Sequence, residues 1–129
     1  MAIEYLTYEN AVFIHLDQMF AVGETRIGVF DRTLIESALA RPQQSAAYEN
    51  ADIVRQAATL YLGFIKNHPW NGGNKRTASA IVAAFLMIND FEIQCEVSEI
   101  IELVLAIESD KFKVDEIENW LRPKIIKTL

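Results

Sequence analysis

The sequence predicts an all-α domain, a compact bundle of about six helices with a central buried helix and a short flap. Three observations predict it. Apolar residues recur at helical spacing through most of the chain, and capping residues and helix stoppers punctuate those stretches. Only one short run, Phe91-Glu-Ile-Gln-Cys95, alternates like a strand, and nothing obvious is there to pair with it. A length of 129 residues fits one domain, 1–129, and a 51% hydrophobic composition supplies its core without disulfides.

Thr7 is placed to cap a first helix with Val12, Leu16, Met19 and Phe20 on one face. Gly23 and Gly28 bracket a turn-prone segment, 21–30, whose Arg26-Ile-Gly-Val-Phe30 stretch reads as an extended flap. Asp31 caps a second helix through Leu34, Ile35, Ala38 and Leu39, which Pro42 should stop. A long third helix, from about 51 to 67, turns Val54, Ala57, Ala58, Tyr61, Phe64 and Ile65 inward. The fourth, 75–89, is apolar nearly all round past its first turn, which demands central burial. Ser98 caps a fifth helix carrying Ile101, Val104, Leu105 and Ile107. Asp115 caps a sixth with Ile117, Trp120 and Leu121, stopped by Pro123, and the tail 124–129 is expected to fray.

Composition narrows the function. A net charge of −6 argues against direct nucleic-acid binding, which needs basic surface to neutralise phosphates. Cys95 is the single cysteine, so no internal disulfide forms and a cytoplasmic location is expected. With only His15 and His68 beside it, the chain is too poor in ligands for a structural zinc site; Cys95 reads as packing, and His15 has no assigned role. No basic-then-apolar leader opens the sequence, and the longest apolar stretch, 80–88, is too short to span a bilayer, so no membrane partner is expected. All 18 acids lie outside 53–89, whereas Arg55, Lys66, Lys75 and Arg76 lie inside it. Burial explains the missing carboxylates but not a Lys-Arg pair beside two glycines.

That pair marks the loop His68-Pro-Trp-Asn-Gly-Gly-Asn-Lys-Arg76. Pro69 bars helix continuation, Gly72 and Gly73 open backbone conformations closed to other residues, and the chain then enters the central helix at about Asn74. The first amides of a helix lack internal acceptors, and its dipole is positive there, so this end attracts anions. Lys75 and Arg76 disfavour that helix start by a few tenths to about 1 kcal/mol each unless a polyanion joins them. The order of residues does not match a P-loop, and a helix precedes the loop where a P-loop has a strand. A histidine beside such an anion pocket can take the proton of a hydroxyl nucleophile.

The loop with the two residues that follow, Thr77 and Ala78, resembles the signature of the Fic/Doc family: a histidine, an aromatic two residues on, then Gly/Ala-Asn-Gly/Lys-Arg. Asp31-Arg-Thr-Leu-Ile-Glu-Ser-Ala-Leu-Ala-Arg-Pro42 is similar to the segment after the flap in Doc-type, death-on-curing, members, and the likeness runs from about Thr7 to Pro123. It implies a helical bundle of the Fic/Doc type. Fic members move the AMP part of ATP onto a target hydroxyl, whereas Doc-type toxins transfer the terminal phosphate to a translation elongation factor. Lys75 stands where Fic members have glycine, and Ser79 where AMP-transferring members carry a further arginine, so both point to the Doc side. The expected function is thus phosphoryl transfer from ATP, or a related nucleotide, to a Ser/Thr hydroxyl. The alternatives are AMP transfer, or a weakened module that binds nucleotide or partner.

Carried over by that resemblance, His68 is the general base, and Gly72, Gly73, Asn74, Lys75 and Arg76 hold the nucleotide phosphates. Trp70 anchors the loop, and Gly28 and Val29 in the flap align the target. The expected partners are an antitoxin encoded nearby and a target protein of the translation machinery. Mg²⁺ is expected with ATP, yet Gly72 occupies the position where the family's acid helps to hold it, so no metal ligand is assigned. Phosphates and water alone, a carboxylate from Glu24 or Asp31, or weakened catalysis would each accommodate that glycine.

Overall fold

The computed structural model describes residues 2–129. Thr7 starts α1 (Tyr8–Val22) with a reciprocal cap: its hydroxyl accepts the Asn10 N–H at 3.1 Å, and its own N–H donates to Asn10 Oδ1 at 2.9 Å. The buried face of α1 is Ala11, His15 and Met19, one residue per turn; of the predicted stripe only Met19 is fully buried. Val12 and Leu16 are only half-buried, and Phe20 is 78% exposed. The helix is turned by one residue because a polar side chain, His15, finds interior hydrogen-bond partners. Gly23, at φ 68°, ends the helix and opens the flap.

Asp31 caps α2 (Arg32–Glu49), accepting from the Thr33 N–H at 2.9 Å and hydroxyl at 2.6 Å. Pro42 does not stop this helix. It sits buried mid-helix, and α2 continues to Asn50, at φ 54°. A proline there costs about 3 kcal/mol, which is offset because α2 packs extensively on α3 and buries Ile35 and Ala38 before Pro42 and Ser45 after it. Gly63 of α3 permits the contact: a Cβ there would lie 2.8 Å from Arg41 Cδ and 3.1 Å from Ala38 Cβ.

Asp52 caps α3 (Ile53–Asn67), of which ten residues are buried, against six in α4 (Asn74–Ile88). The core is therefore centred on the α3–α4 pair, with α3 the more enclosed, and Met87 of α4 faces solvent. The strand-like run does find a partner. β1 (Phe91–Ile93) pairs antiparallel with β2 (Ile125–Lys127), Phe91 opposite Lys127 and Ile93 opposite Ile125, so the tail is ordered and not frayed. After α5 (Val97–Glu108) and α6 (Val114–Leu121), a 3-10 turn over Arg122–Lys124 swings the chain back to β1. Two flanking bonds extend the ladder, Gln94 N–H to the Lys124 carbonyl at 2.7 Å and Thr128 N–H to the Asp90 carbonyl at 2.8 Å.

The last two helices start earlier than predicted, at Glu96 and Lys113, each through a glutamate reaching back from the first turn. Ile101 and Leu105 are about half exposed; Leu103, Val104 and Ile107 do the packing. No helix among the described residues is long and apolar enough to cross a membrane. Ending the chain at Lys124 removes the three cross-strand pairs of β1 and β2. The expected loss is on the order of 1 kcal/mol, read as a lower urea midpoint; an unchanged midpoint would mean that the tail contributes nothing.

Candidate phosphate-binding site

The loop between α3 and α4 is shaped by its backbone. His68 ends α3 in the left-handed region, at φ 49° and ψ 54°. The Pro69 carbonyl accepts the N–H groups of Phe30 at 2.9 Å and Asp31 at 3.2 Å. Asn71 donates its N–H to the Gly28 carbonyl at 3.0 Å and its side-chain amide to the Ile27 carbonyl at 3.1 Å. Val29 thus bridges Trp70 in antiparallel fashion, and the flap is laced to the loop. Because Gly28 and Phe30 aim their pairing groups at the loop, Val29 turns its own N–H and C=O to the flap's outer edge.

His15 joins these parts from beneath and is fully buried. Its Nε2 accepts the Gly28 N–H at 3.0 Å, and its Nδ1 lies 3.0 Å from Thr77 Oγ1 in α4. An amide N–H can only donate, so Nε2 is the bare nitrogen and Nδ1 carries the proton that goes to Thr77. The ring stacks on Trp70 with centroids 4.2 Å apart and planes within 7°. Burial pushes the His15 pKa down, which keeps the ring neutral.

Trp70, 3% exposed, stacks on Phe64 as well and packs into the core. Its indole N–H is buried with no acceptor among the described residues. Asn74 closes the loop from the other end: its Oδ1 accepts the Trp70 N–H at 3.0 Å, and its Nδ2 donates to the Trp70 carbonyl at 3.1 Å. Gly73 precedes α4 at φ 66° without a side-chain cap. A Cβ there would meet only the movable end of the Met19 side chain, so it is the conformation that favours glycine. The first backbone bond of α4 is Thr77 N–H to the Gly73 carbonyl at 2.9 Å, which leaves the amides of 74–76 without intrahelical acceptors.

Of the residues singled out in the sequence, His68, Trp70, Gly72, Asn74 and Lys75 line one cavity of about 410 Å³. Arg26 and Phe30 of the flap form its opposite wall. Gly73 lies beneath, against Met19, and Gly28 and Val29 are paired to the loop without lining the cavity. Arg76 is not brought in; it is exposed and, with Lys75, edges a second groove of about 550 Å³ walled by Ile101, Val104 and Leu105.

Three residues went unassigned in the sequence. One is His15. Another is Glu108, at the end of α5, whose carboxylate pairs with Lys75 Nζ at 3.1 Å and lies 3.8 Å from His68 Nε2. It is 40 residues from His68, and no local pattern marks it. The third is Arg26. Its charge is matched in sequence by Glu24 two residues before it, so no local excess of charge marks it.

The donor set does not fit a protein-held magnesium ion. Gly72 is buried, and a Cβ there would lie 2.6 Å from the Arg26 carbonyl oxygen and 2.8 Å from Arg26 Cβ. Each flap acid already accepts hydrogen bonds from its own neighbours. Hydrogen bonds from Arg26 hold the Glu24 carboxyl down at about 2, and Asp31, its carboxyl also lowered, is committed to Thr33. Glu108 is paired with Lys75, and no group of three or more His, Cys, Asp or Glu suited to a metal occurs among the described residues.

His15→Ala strips Gly28 and Thr77 of their partner and Trp70 of its stack, an expected cost of about 2–4 kcal/mol in urea denaturation. The folded pKa of His15 is lowered, so its contribution is full above the unfolded value near 6.5 and is lost as pH falls through the folded one. Stability of the native protein should therefore drop on acidification from pH 6.5, and this component of the drop should be missing in His15→Gln. Trp70→Phe removes the orphaned indole N–H and should change stability by less than about 1.5 kcal/mol, against about 3–5 kcal/mol for Trp70→Ala.

No curated protein sequence matches the chain. The model of the Fic/DOC family matches residues 5–86, a span holding the first three helices, the flap, the loop and most of α4. With its loop histidine, uncapped helix start and paired flap all inside the matched span, this chain belongs to the Fic/DOC family.

Proposed function

We propose that the chain is a Doc-type enzyme that moves the terminal phosphate of ATP onto a Ser/Thr hydroxyl of a target protein. The observation that carries the reading is the uncapped start of α4, with Lys75 and His68 on the wall of the same cavity. Unpaired amides and a lysine neutralise charge on phosphate oxygens, which supplies most of the catalysis in phosphoryl transfer. The incoming triphosphate competes with Glu108 for Lys75. The outer edge of the flap at Val29 offers one N–H and one C=O to an extended target segment, which would bring its hydroxyl toward His68.

In the transfer, the target hydroxyl oxygen forms a bond to the γ-phosphorus as the bond from that phosphorus to the β,γ-bridging oxygen breaks. The hydroxyl proton passes to the His68 imidazole, and ADP leaves with the electron pair of the broken bond. Ser79 supports phosphate over AMP transfer, because it accepts the Tyr61 hydroxyl at 2.7 Å and brings no further cation to the α4 start. By family likeness, the target belongs to the translation machinery, and an antitoxin made from a neighbouring reading frame restrains the enzyme.

Expression in bacteria should arrest growth, and His68→Ala should abolish the arrest. Loss of the base is expected to slow transfer by roughly 10²–10⁴-fold, measured as label passing from γ-labelled ATP to a lysate protein. Intact mass of that protein should show the gain of one phosphate. A gain of a nucleotide monophosphate would make the chain an AMP transferase, and nucleotide binding without labelling would make it a binding module.

A further inference from the structure

We propose that Arg26 replaces the metal in this chain: its guanidinium, held by Glu24 over Gly72, binds the phosphates, so nucleotide binding does not depend on a divalent cation. The inference rests on the triphosphate reading above and adds to it a second binding residue and a different source of positive charge.

Gly72 carries the first part. Its Cα faces the flap so closely that a Cβ would lie 2.6 Å from the Arg26 carbonyl oxygen and 3.3 Å from Arg26 Nε. The space in which a side chain at position 72 would begin is therefore taken by Arg26. An acid at 72 could be accommodated only by moving the flap backbone, and five contacts with His15, Pro69 and Asn71 hold that backbone in place. Glycine at 72 and arginine at 26 form a matched pair: the carboxylate is removed and a cation is laid over the vacated position.

Orientation is the second part. Arg26 Nε donates to Glu24 Oε1 at 3.0 Å and Nη2 donates to Glu24 Oε2 at 2.9 Å, while the Arg26 backbone N–H also reaches Oε1, at 2.9 Å. This two-point grip fixes the plane of the guanidinium. Of its five N–H donors it occupies two, and the other three have no acceptor among the described residues. The Arg26 side chain is 70% exposed and lines the cavity that His68 and Lys75 line. A planar fork with spare donors on a tethered flap suits two phosphate oxygens at once. Lys75 then meets the phosphates from the opposite wall.

The test is calorimetric titration of the purified protein with a non-hydrolysable ATP analogue, once in EDTA and once in excess Mg²⁺. The native protein should bind in EDTA within about threefold of its affinity in Mg²⁺. Arg26→Gln, which keeps the stem atoms over Gly72, should weaken binding in EDTA by about tenfold or more, and Arg26→Lys should recover only part of it because the fork is lost. An unchanged melting profile for Arg26→Gln confirms that the variant folds. Native binding that collapses on chelation, or Arg26→Gln binding as well as the native protein in EDTA, overturns the inference. If Lys75→Ala loses binding in those same titrations, the triphosphate reading survives that result. Should no nucleotide bind in either buffer, the proposed function fails and takes this inference with it.

Discussion

One neutral imidazole holds the working end of this molecule together. His15 reaches from α1 to the flap through Gly28, to α4 through Thr77, and to the loop through the face of Trp70. The Gly28 contact fixes the tautomer, with Nε2 bare and the proton on Nδ1, and the Thr77 hydroxyl then accepts. A proton on Nε2 would set two N–H groups against each other at Gly28, so the flap's position depends on the ring staying uncharged. In a dry interior such a bond is stronger than in water, and leaving it unmade costs correspondingly more.

Around that joint, the cavity is arranged as two ion pairs facing each other, Arg26 with Glu24 and Lys75 with Glu108. Each of these two cations thus already has a carboxylate beside it. Both pairs are at least partly solvated and contribute little to stability; Lys75, held at one point, exchanges its partner readily, whereas the two-point grip of Glu24 keeps Arg26 in its plane. The firm parts of the structure lie elsewhere, in the α2–α3 packing and the buried faces of α3 and α4. The chain thus keeps a rigid scaffold beneath an electrostatically soft site.

Much of this was legible in the sequence. Capping residues and apolar spacing located the helices because those signals are local, and the loop was legible because glycines, proline and a basic pair fall within nine residues. What was hidden depends on contacts distant in the chain. Pro42 reads as a stop unless one knows that the helix is buried on both sides of it. The pairing of 125–127 with 91–93 is invisible from either segment alone. His15 carried no assigned role because its partners, Gly28, Trp70 and Thr77, are distant in the chain, and Glu108 had no motif at all. Gly72 was conspicuous, yet its meaning emerged only from the flap lying on top of it.

Under the proposed function, the left-handed backbone at His68 sets catalysis against durability. A branched or bulky residue would be strained there, and even histidine tolerates the conformation at some cost, whereas glycine would take it freely. Mutational drift toward a sturdier chain would find an easy gain at the very position that bears the imidazole. A descendant released from its task should therefore shed this histidine early, and would melt at a higher temperature for having done so.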